Sequence, residues 1–374
     1  MKLVISGYYG FGNIGDEAIL QGAIQGLKEI DRSLEITVLS REPQKTAAEH
    51  NVTAVSRFST WQVFRAIQNC DVLISGGGAL FQDTTSKRGI IYYLSLIQIA
   101  LWLRKRVVVF AQGFGPIERP SMRVLSVKIL QKVHLVLLRD LEAVNRMKEM
   151  GIVRPPIHVT GDPACILEIP SREKTQRILE KEGILHGGPL IAICPRRPPG
   201  MISAERLKHI RTAIAQMADT FIQKHHAKII FVNFQPRTDV EEATQILNAM
   251  SCPADVILRE YSAEELMGLL GEMTVVVGIR LHALVFSTLV GTPFIGLSYD
   301  PKVANFSSSV HQKYFDLEKM ASADLISAVE EIIAHSAEIR SQLLESREIL
   351  KQGARRNFEY LKGFLYSPEP VSNR

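Results

Sequence analysis

The sequence is poor in cysteine and has no long apolar segment. Its four cysteines are far apart and form no C-x-x-C pair, so we expect buried, reduced thiols rather than disulfides or a zinc site. The longest apolar stretch, Ile90 to Leu103, has 14 residues, whereas a helix needs about 20 to span a bilayer. We therefore expect no transmembrane helix. The apolar run before Gly7 is too short for a signal-peptide core, which predicts a cytoplasmic protein.

The charge of the chain is small overall and unevenly distributed. Its 374 residues carry 44 Lys and Arg against 39 Asp and Glu, a net charge of +5. Residues 101–150 alone hold ten basic and four acidic residues, a net charge of +6. Such a window is typical of solvated helix faces, and it also favours peripheral contact with an anionic membrane surface or a lipid diphosphate. Nucleic acid is not an expected partner, because these cations are not interleaved with aromatic residues.

Short β-rich segments alternate with helical patterns along most of the chain. Segments such as Lys2–Ser6 and Arg106–Ala111 are apolar on both faces, as in a parallel sheet that helices cover on each side. The alternation breaks at Ile166–Lys174 and restarts at Leu190–Cys194. We predict an α/β fold in which two Rossmann-like domains face a cleft. The predicted parts are residues 1–168, residues 175–322 and a helical C-terminal segment, 323–374.

The loop after the first strand, residues 7–17, is rich in glycine. Ligands of open parallel sheets bind at the carboxyl ends of the strands, and this loop contains the dinucleotide pattern G-x-G-x-x-G, which ends at Gly15. Asp16 and Glu17 follow at the helix N-terminus, where they would repel a pyrophosphate. Either Asp16 caps the helix and the glycines only form the turn, or Asn13, Asp16 and Glu17 bind a polyhydroxyl acceptor or serve as a base.

Two further loops of the first half also contain glycine turns. Gly76, Gly77 and Gly78 follow one predicted strand, and Gln112 follows another. Glycine lets the backbone approach a ligand closely and exposes amide donors. These residues are therefore candidates for acceptor binding, and tight strand-to-helix packing would explain the glycines equally well.

In the second half, an arginine and a histidine share one loop at the end of a predicted strand. Arg280 supplies the planar fork that binds carboxylate or phosphate, and His282, near a helix N-terminus, is placed to exchange a proton. Lys302 follows the next strand and could reach the same anion. It could equally be a solvated loop lysine.

Seven motifs, taken in order from about residue 5 to residue 303, resemble the polysaccharide pyruvyl transferase family. They are GNIGDE, SGGGALFQD, QGFGP, LRD, GDPA, GIRLH and YDPKV. Within that family the motifs resemble those of the CsaB branch, which modifies the bacterial secondary cell-wall polymers that anchor S-layer proteins. The resemblance implies a fold like that of GT-B glycosyltransferases and transfer of a ketal pyruvyl group from phosphoenolpyruvate. For that branch the product would be a 4,6-ketal on N-acetylmannosamine in a lipid diphosphate-linked disaccharide.

The resemblance also implies roles for individual residues. Donor recognition would lie on Arg280, Leu281 and His282 with an upstream arginine. We map that arginine to Arg139, although Arg196 follows another strand end and is equally able to bind an anion. Lys302 is a third basic candidate.

Phosphoenolpyruvate carries a phosphate and a carboxylate on one small frame, so its site needs several fixed cations. We expect His282 to be the general acid and Asp16 or Glu17 to deprotonate or orient the sugar hydroxyls. The sequence contains no metal-binding or Walker motif, so we expect a reaction without a metal or cofactor, in which phosphoenolpyruvate is a co-substrate. A homo-oligomer is compatible with the sequence.

Two other enzyme classes compete with this interpretation. A GT-B glycosyltransferase would have the same architecture and would release a nucleotide instead of phosphate. A nicotinamide dehydrogenase built on the first glycine loop is disfavoured, because Arg41 stands after the second strand where an acid would bind the ribose.

Overall fold

The protein, seen in a computed structural model, consists of two compact units. The structure describes residues 1–83, 87–184, 187–198 and 202–366. The first unit contains residues 1–11, 16–167 and those from 350 onward, and the second contains residues 12–15 and 168–349. This division differs from the predicted one at three places: residues 12–15 group with the second unit, residues 168–174 also belong to it, and the C-terminal segment divides at residue 350. Residues 367–374 of that segment lie outside the described residues.

Strands and helices alternate through the first unit. In chain order they are β1 (Lys2–Ser6), α1 (Ile14–Ile30), β2 (Glu35–Ser40), α2 (Pro43–His50), β3 (Thr53–Ser56), α3 (Thr60–Asn69), β4 (Val72–Ser75), β5 (Gly78–Phe81), α4 (Lys87–Trp102), β6 (Arg106–Phe114), α5 (Pro120–Leu130), β7 (Leu135–Leu138), α6 (Leu141–Glu149), β8 (Ile157–Val159) and a 3-10 helix (Pro163–Ile166). The sheet order is β3-β2-β1-β4-β6-β7-β8, with β5 beside β6 and all described pairs parallel. The order reverses between β1 and β4, which is where such sheets bind ligands.

Both faces of this sheet are buried, as its unbroken apolar strands predict. In β1, Leu3 and Ile5 belong to one apolar core and Val4 belongs to the other. Residues of α3, α4, α5 and α6 complete the core around Val4, and Leu20 of α1 contributes to the opposite core. The alternation of side chains along a strand therefore places apolar residues under helices on both sides.

Strands β3, β5 and β14 (Tyr314–Asp316) were not expected from the sequence, and β5 lies in a glycine loop that was predicted to bind the acceptor. Gly78 to Phe81 form β5, where the glycine run predicts only a loop. Gly78 pairs with Gln112 and Phe81 pairs with Phe114. The fully buried ring of Phe81 explains why this segment becomes part of the sheet.

The second unit repeats the same design. Its elements are α7 (Arg172–Glu182), β9 (Leu190–Cys194), α8 (Ala204–His225), β10 (Lys228–Phe231), α9 (Pro236–Leu247), β11 (Asp255–Val256), α10 (Ala263–Gly271), β12 (Val275–Gly278), α11 (Leu281–Val290), β13 (Phe294–Ser298), α12 (Pro301–Ser309), β14 (Tyr314–Asp316) and α13 (Ser322–Ala334). The parallel sheet has the order β11-β10-β9-β12-β13-β14. Two Rossmann-like domains are therefore present, as predicted.

The last helix, α14 (Ser336–Tyr366), supplies its second half to the first unit. Asn357 is fully buried there, accepts a hydrogen bond from Oγ1 of Thr160 at 2.7 Å and donates to the carbonyl of Gly161 at 2.8 Å. Nη1 of Arg106 donates to the carbonyl of Phe364 at 3.0 Å. These contacts tie α14 to the ends of β6 and β8.

The four thiols are unbonded to one another. Cys70, Cys165 and Cys194 are buried and Cys252 is half-buried. Burial raises the pKa of the Cys70 thiol to about 11, so this group stays protonated near neutral pH. Within the described ranges, no helix combines the length and the apolar character needed to cross a bilayer.

Candidate active site

The predicted donor-binding residues of the second unit lie at one edge of its sheet. Gly278 of β12 pairs in register with Cys194 of β9 and with Gly296 of β13, so β12 lies between these two strands. The carboxyl ends of all three strands therefore meet at the same edge. The residues that follow them are Arg196 after β9, Arg280 and Leu281 after β12, and Lys302 after β13.

Arg280 is buried and forms an ion pair with a residue of α9. Its Nε donates to Oδ2 of Asp239 at 3.0 Å and its Nη2 bonds Oδ1 of the same carboxylate. Nη2 also donates to Gln235 at 3.2 Å and to Thr238 at 3.3 Å. The carboxylate that meets the arginine fork in this structure is thus Asp239. The donor-binding role of Arg280 stays a prediction: in this structure its Nε and Nη2 fix the turn before α11, and its Nη1 stays outside these bonds.

His282 is the second residue of α11, and the chain approaches its ring at Gly15. A Cβ atom at Gly15 would overlap Nδ1 of His282 and would lie 2.5 Å from its Cγ. The backbone holds this segment in place, since the amide of Ile14 donates to the carbonyl of Phe234 at 2.9 Å. Asn13, a predicted acceptor residue, accepts a hydrogen bond from the amide of Gly15 at 3.3 Å. Gly15 is therefore required by close approach to an imidazole, a role that a dinucleotide fingerprint does not predict.

Two cations share the ring of Tyr299 at this edge. Cζ of Arg196 lies 4.9 Å and Nζ of Lys302 lies 5.6 Å from the ring centroid. Nζ of Lys302 also lies 3.2 Å from Oδ2 of Asp300, whose other oxygen accepts from the amide of Lys302 at 3.1 Å. Two cations at one ring suit a small anion that carries more than one charge.

In the first unit, Asp16 and Glu17 take different positions. Oε1 of Glu17 accepts from the amide of Gly10 at 2.9 Å and so holds the glycine loop. Oδ1 of Asp16 lies 3.1 Å from the point where a Cβ of Gly78 would be. Burial, with the nearby carboxylate of Asp16, raises the pKa of Tyr9 well above its ordinary value. Asp16 therefore lies over the second glycine turn, beside a phenol that stays neutral.

Gln112 supports this glycine turn from within the protein. Its side chain is fully buried, its Nε2 bonds the carbonyl of Gly76, and its Oε1 accepts from the amide of Leu80 at 3.3 Å. Gly77 is packed so tightly that a Cβ would lie 2.6 Å from Ile19. The expectation that Gln112 faces an acceptor is corrected here: its polar atoms bond the backbone, so it can act on a ligand only by shaping the turn.

Arg139, the predicted upstream arginine, also belongs to the first unit. It follows β7, and its Nη1 lies 3.4 Å from Oδ2 of Asp162. A Cβ at Gly113 would lie 2.8 Å from its Nη2, so this glycine makes room for the guanidinium. Within the second unit, Arg196 contacts the same Tyr299 ring as Lys302.

Asp239 and Tyr299 are site residues that were not predicted from the sequence. Asp239 is fully buried in the first turn of α9, where an acid usually indicates only a favourable helix terminus. Tyr299 stands next to Asp300 in the motif YDPKV, so the motif contained this residue although its ring was not assigned a role.

Comparison with known proteins places this chain in one family. The sequence model of the family described as polysaccharide pyruvyl transferase matches residues 13–301. The chain is also 19% identical, over 93% of its length and 96% of the relative's, to the amylovoran biosynthesis protein AmsJ of Erwinia amylovora.

Solved structures agree in fold. The S. aureus MnaA–UDP co-structure has a TM-score of 0.68 at 12% identity and covers 97% of this chain and 96% of its own. Anabaena Alr3699/HepE in complex with UDP-glucose has a TM-score of 0.66 at 12% identity, with 98% and 99% covered. These likenesses confirm the predicted GT-B-like fold.

Proposed function

Because the chain belongs to the polysaccharide pyruvyl transferase family, we propose that it transfers a ketal pyruvyl group from phosphoenolpyruvate to a sugar of a lipid diphosphate-linked saccharide. The chain is a transferase, and its family acts by pyruvyl transfer in polysaccharide synthesis. The finer assignment follows the resemblance to the CsaB branch: a 4,6-ketal on N-acetylmannosamine of a secondary cell-wall polymer that anchors S-layer proteins.

The observation that best supports this proposal is the group of cations on the second sheet. Arg196 and Lys302 share the Tyr299 ring, and both follow strands adjacent to the one that leads into Arg280 and His282. Phosphate and carboxylate on one three-carbon frame require cations from more than one direction. In our proposal, Arg196 and Lys302 bind these anionic groups, and Arg280, held by Asp239, fixes the backbone that presents Leu281 and His282.

In the proposed reaction, two sugar hydroxyls each lose a proton, and these two protons balance the chemistry at phosphoenolpyruvate. The methylene carbon of phosphoenolpyruvate takes a proton, and one sugar hydroxyl attacks the central carbon and loses its own proton. The bond from this carbon to the phosphate oxygen breaks, and a second hydroxyl closes the ketal. One of the two released protons replaces the proton used on carbon and the other leaves with inorganic phosphate.

His282 is proposed to donate the proton to the methylene carbon, because an imidazole can give and regain a proton near neutral pH. Asp16 is proposed to accept or orient the hydroxyl protons. Glu17 is the weaker candidate for that role, since its Oε1 already holds the amide of Gly10.

The test is incubation of the protein with labelled phosphoenolpyruvate and a panel of saccharide diphosphate lipids. We expect equal amounts of phosphate released and label transferred to the saccharide. Nucleotide release from a nucleotide sugar, with no use of phosphoenolpyruvate, would instead identify a glycosyltransferase. We also propose that neither a metal nor a cofactor takes part, so activity should persist in excess chelator.

We further propose that the protein acts in the cytoplasm, at the inner membrane surface. Helices α3, α4 and α5 carry arginine and lysine and no aspartate or glutamate. Both tryptophans of the chain lie on α3 and α4 with exposed side chains, Trp61 at 66% and Trp102 at 75%. Exposed tryptophan beside cations favours an anionic lipid interface.

One cation of the basic segment 101–150 is not available for membrane contact. Arg106, which the sequence groups with Arg104 and Lys105, donates to α14 and stacks on Phe364, with its Cζ 5.0 Å from the ring centroid. We therefore expect Arg104→Gln with Lys105→Gln to weaken binding to phosphatidylglycerol vesicles. The same substitution at Lys319, an exposed lysine of the second unit, is the control. Equal binding by both variants would exclude the window from membrane contact.

A further inference from the structure

Two arginines of the first unit converge on one aromatic ring. Arg41 follows β2 and Arg57 follows β3, and their Cζ atoms lie 5.1 and 5.0 Å from the centroid of the Phe11 ring. Tyr8 covers one face of that ring, with 4.0 Å between centroids and 7° between planes. Phe11 is thus stacked on Tyr8 and also lies within about 5 Å of both guanidinium groups.

The backbone fixes this arrangement. The amide of Arg41 donates to the carbonyl of Tyr9 at 3.0 Å, and the amide of Arg57 donates to the carbonyl of Ser40 at 2.9 Å. Gly10 has a φ of +75°, and a Cβ there would lie 2.9 Å from the amide nitrogen of Arg41. Glycine at this position thus lets the loop that carries Phe11 lie directly against the turn after β2.

The charges of the two guanidinium groups are not balanced by carboxylates. Neither arginine forms an ion pair with any residue that the structure describes. Nη1 of Arg57 donates to the carbonyl of Gly7 at 2.8 Å, and its Cζ lies 4.4 Å from the Tyr92 ring. Two cations at the same ring repel each other, and a guanidinium is suited to carboxylate or phosphate. A ligand with two adjacent anionic groups would satisfy both.

We propose that Arg41 and Arg57, which both contact the Phe11 ring, form a diphosphate-binding site. In the context of the proposed function, on which this identification of the ligand rests, it receives the diphosphate of the saccharide acceptor. The acidic N-terminus of α1, with Asp16 and Glu17 in its first turn, disfavours phosphate at the usual helix position. The diphosphate is instead bound by the arginines after β2 and β3.

The first test measures binding of inorganic pyrophosphate by calorimetry. Arg41 makes no side-chain hydrogen bond to the described residues, so Arg41→Gln should leave the fold intact. We expect this change to weaken binding by about tenfold or more, as the loss of charge-assisted hydrogen bonds implies, and to reduce the dependence of affinity on salt. Arg65→Gln, at an exposed arginine of α3, is the matched control and should bind as the unchanged protein does. Equal affinities for all three proteins would overturn the proposal.

Pyrophosphate could also bind the cations of the second unit, so Lys302→Gln is included. Lys302→Gln should weaken phosphoenolpyruvate binding. In the Lys302→Gln background, Arg41→Gln should still lower the affinity for pyrophosphate by the same factor. If Lys302→Gln abolishes that difference, the diphosphate site is not at Arg41.

A kinetic test then addresses the acceptor. Arg41→Gln should raise KM for a saccharide diphosphate at least several-fold, with KM for phosphoenolpyruvate and kcat unchanged. A soluble saccharide without the diphosphate should show no difference between the two proteins. A variant that loses vesicle binding while it keeps pyrophosphate affinity would point to a lipid headgroup and contradict the assignment. Absence of any pyruvyl transfer would reject the proposed function and leave the pyrophosphate result standing.

Discussion

Arg280 and Asp239 form a two-point ion pair in which Nε lies 3.0 Å from Oδ2 and neither side chain is more than 6% exposed. The pair connects the turn after β12 with the first turn of α9. Asp239 also accepts from the amides of Phe234 at 3.1 Å and Gln235 at 2.8 Å. One carboxylate therefore fixes two loops at the edge where the donor is proposed to bind.

Replacement of this carboxylate should destabilise the second unit. Asp239→Asn leaves the Arg280 guanidinium buried without its counter-charge, and we expect the free energy of unfolding in urea to fall by about 3–5 kcal/mol. Asp300→Asn removes the charge from the more exposed pair with Lys302 and should cost less than about 1 kcal/mol. Similar losses of unfolding free energy in the two variants would mean that the buried pair stabilises the protein no more than the exposed pair does.

Gly15→Ala should act on activity more than on stability. The new methyl group overlaps the His282 ring, which must turn away to accommodate it. We expect turnover at saturating phosphoenolpyruvate to fall by about tenfold or more, as misplaced catalytic groups do. Gly187→Ala, where no atom lies within 4 Å of the new Cβ, serves as the control. Normal turnover in Gly15→Ala would show that the position of this ring does not matter.

Loss of the imidazole itself should be more severe. His282→Ala and His282→Gln remove the proposed proton donor, and we expect turnover to fall by about 10²- to 10⁴-fold. Near-normal turnover at saturating donor would exclude His282 as the general acid. Circular dichroism of both variants checks that the fold is retained.

Stability should decline at high pH because of two buried tyrosines. Burial raises the pKa of Tyr93 to about 12 and raises that of Tyr9 well above its ordinary value. The unfolded chain loses each of these protons near pH 10, whereas the folded chain keeps them. The contribution of each tyrosine to the free energy of unfolding should therefore be complete below about pH 10. Above that pH it should fall by about 1.4 kcal/mol per pH unit, up to the pKa that the tyrosine has in the folded protein.

Tyr93→Phe isolates one of these contributions. We expect the free energy of unfolding to fall less steeply between about pH 10 and pH 12 in this variant. Tyr314→Phe, at a tyrosine that is 45% exposed, is the matched control. An unchanged slope in Tyr93→Phe would place the origin of the decline elsewhere.

Much of the fold was predictable from local sequence. Strands that are apolar on both faces predict a covered parallel sheet, and parallel strands align their carboxyl ends. This reasoning placed Arg196, Arg280 and Lys302 at one edge, where the structure has them. Their catalytic and binding roles stay predictions.

Contacts between distant residues could not be predicted in the same way. Asp239 lies 41 residues from Arg280. Its local sequence indicates only an acidic residue in the first turn of a helix and does not indicate that Arg280 is its partner. Gln112 sits in a glycine-rich stretch, and nothing local shows that its amide points inward to the turn at Gly76. The convergence of Arg41 and Arg57 on Phe11 likewise depends on three separate segments of chain.

Because the chain is synthesised from its N-terminus, α14 supplies the last residues of the first unit's apolar core. Phe358 and Leu361 complete one apolar core of the first unit, yet almost the whole second unit lies between them and residue 167. A growing chain of roughly 350 residues thus has every strand of both sheets, while the first sheet still exposes apolar surface on one face. The second unit is nearly continuous in sequence, so almost all its residues are synthesised before the second half of α14. The first domain to begin synthesis is therefore the last to receive all the residues of its apolar core.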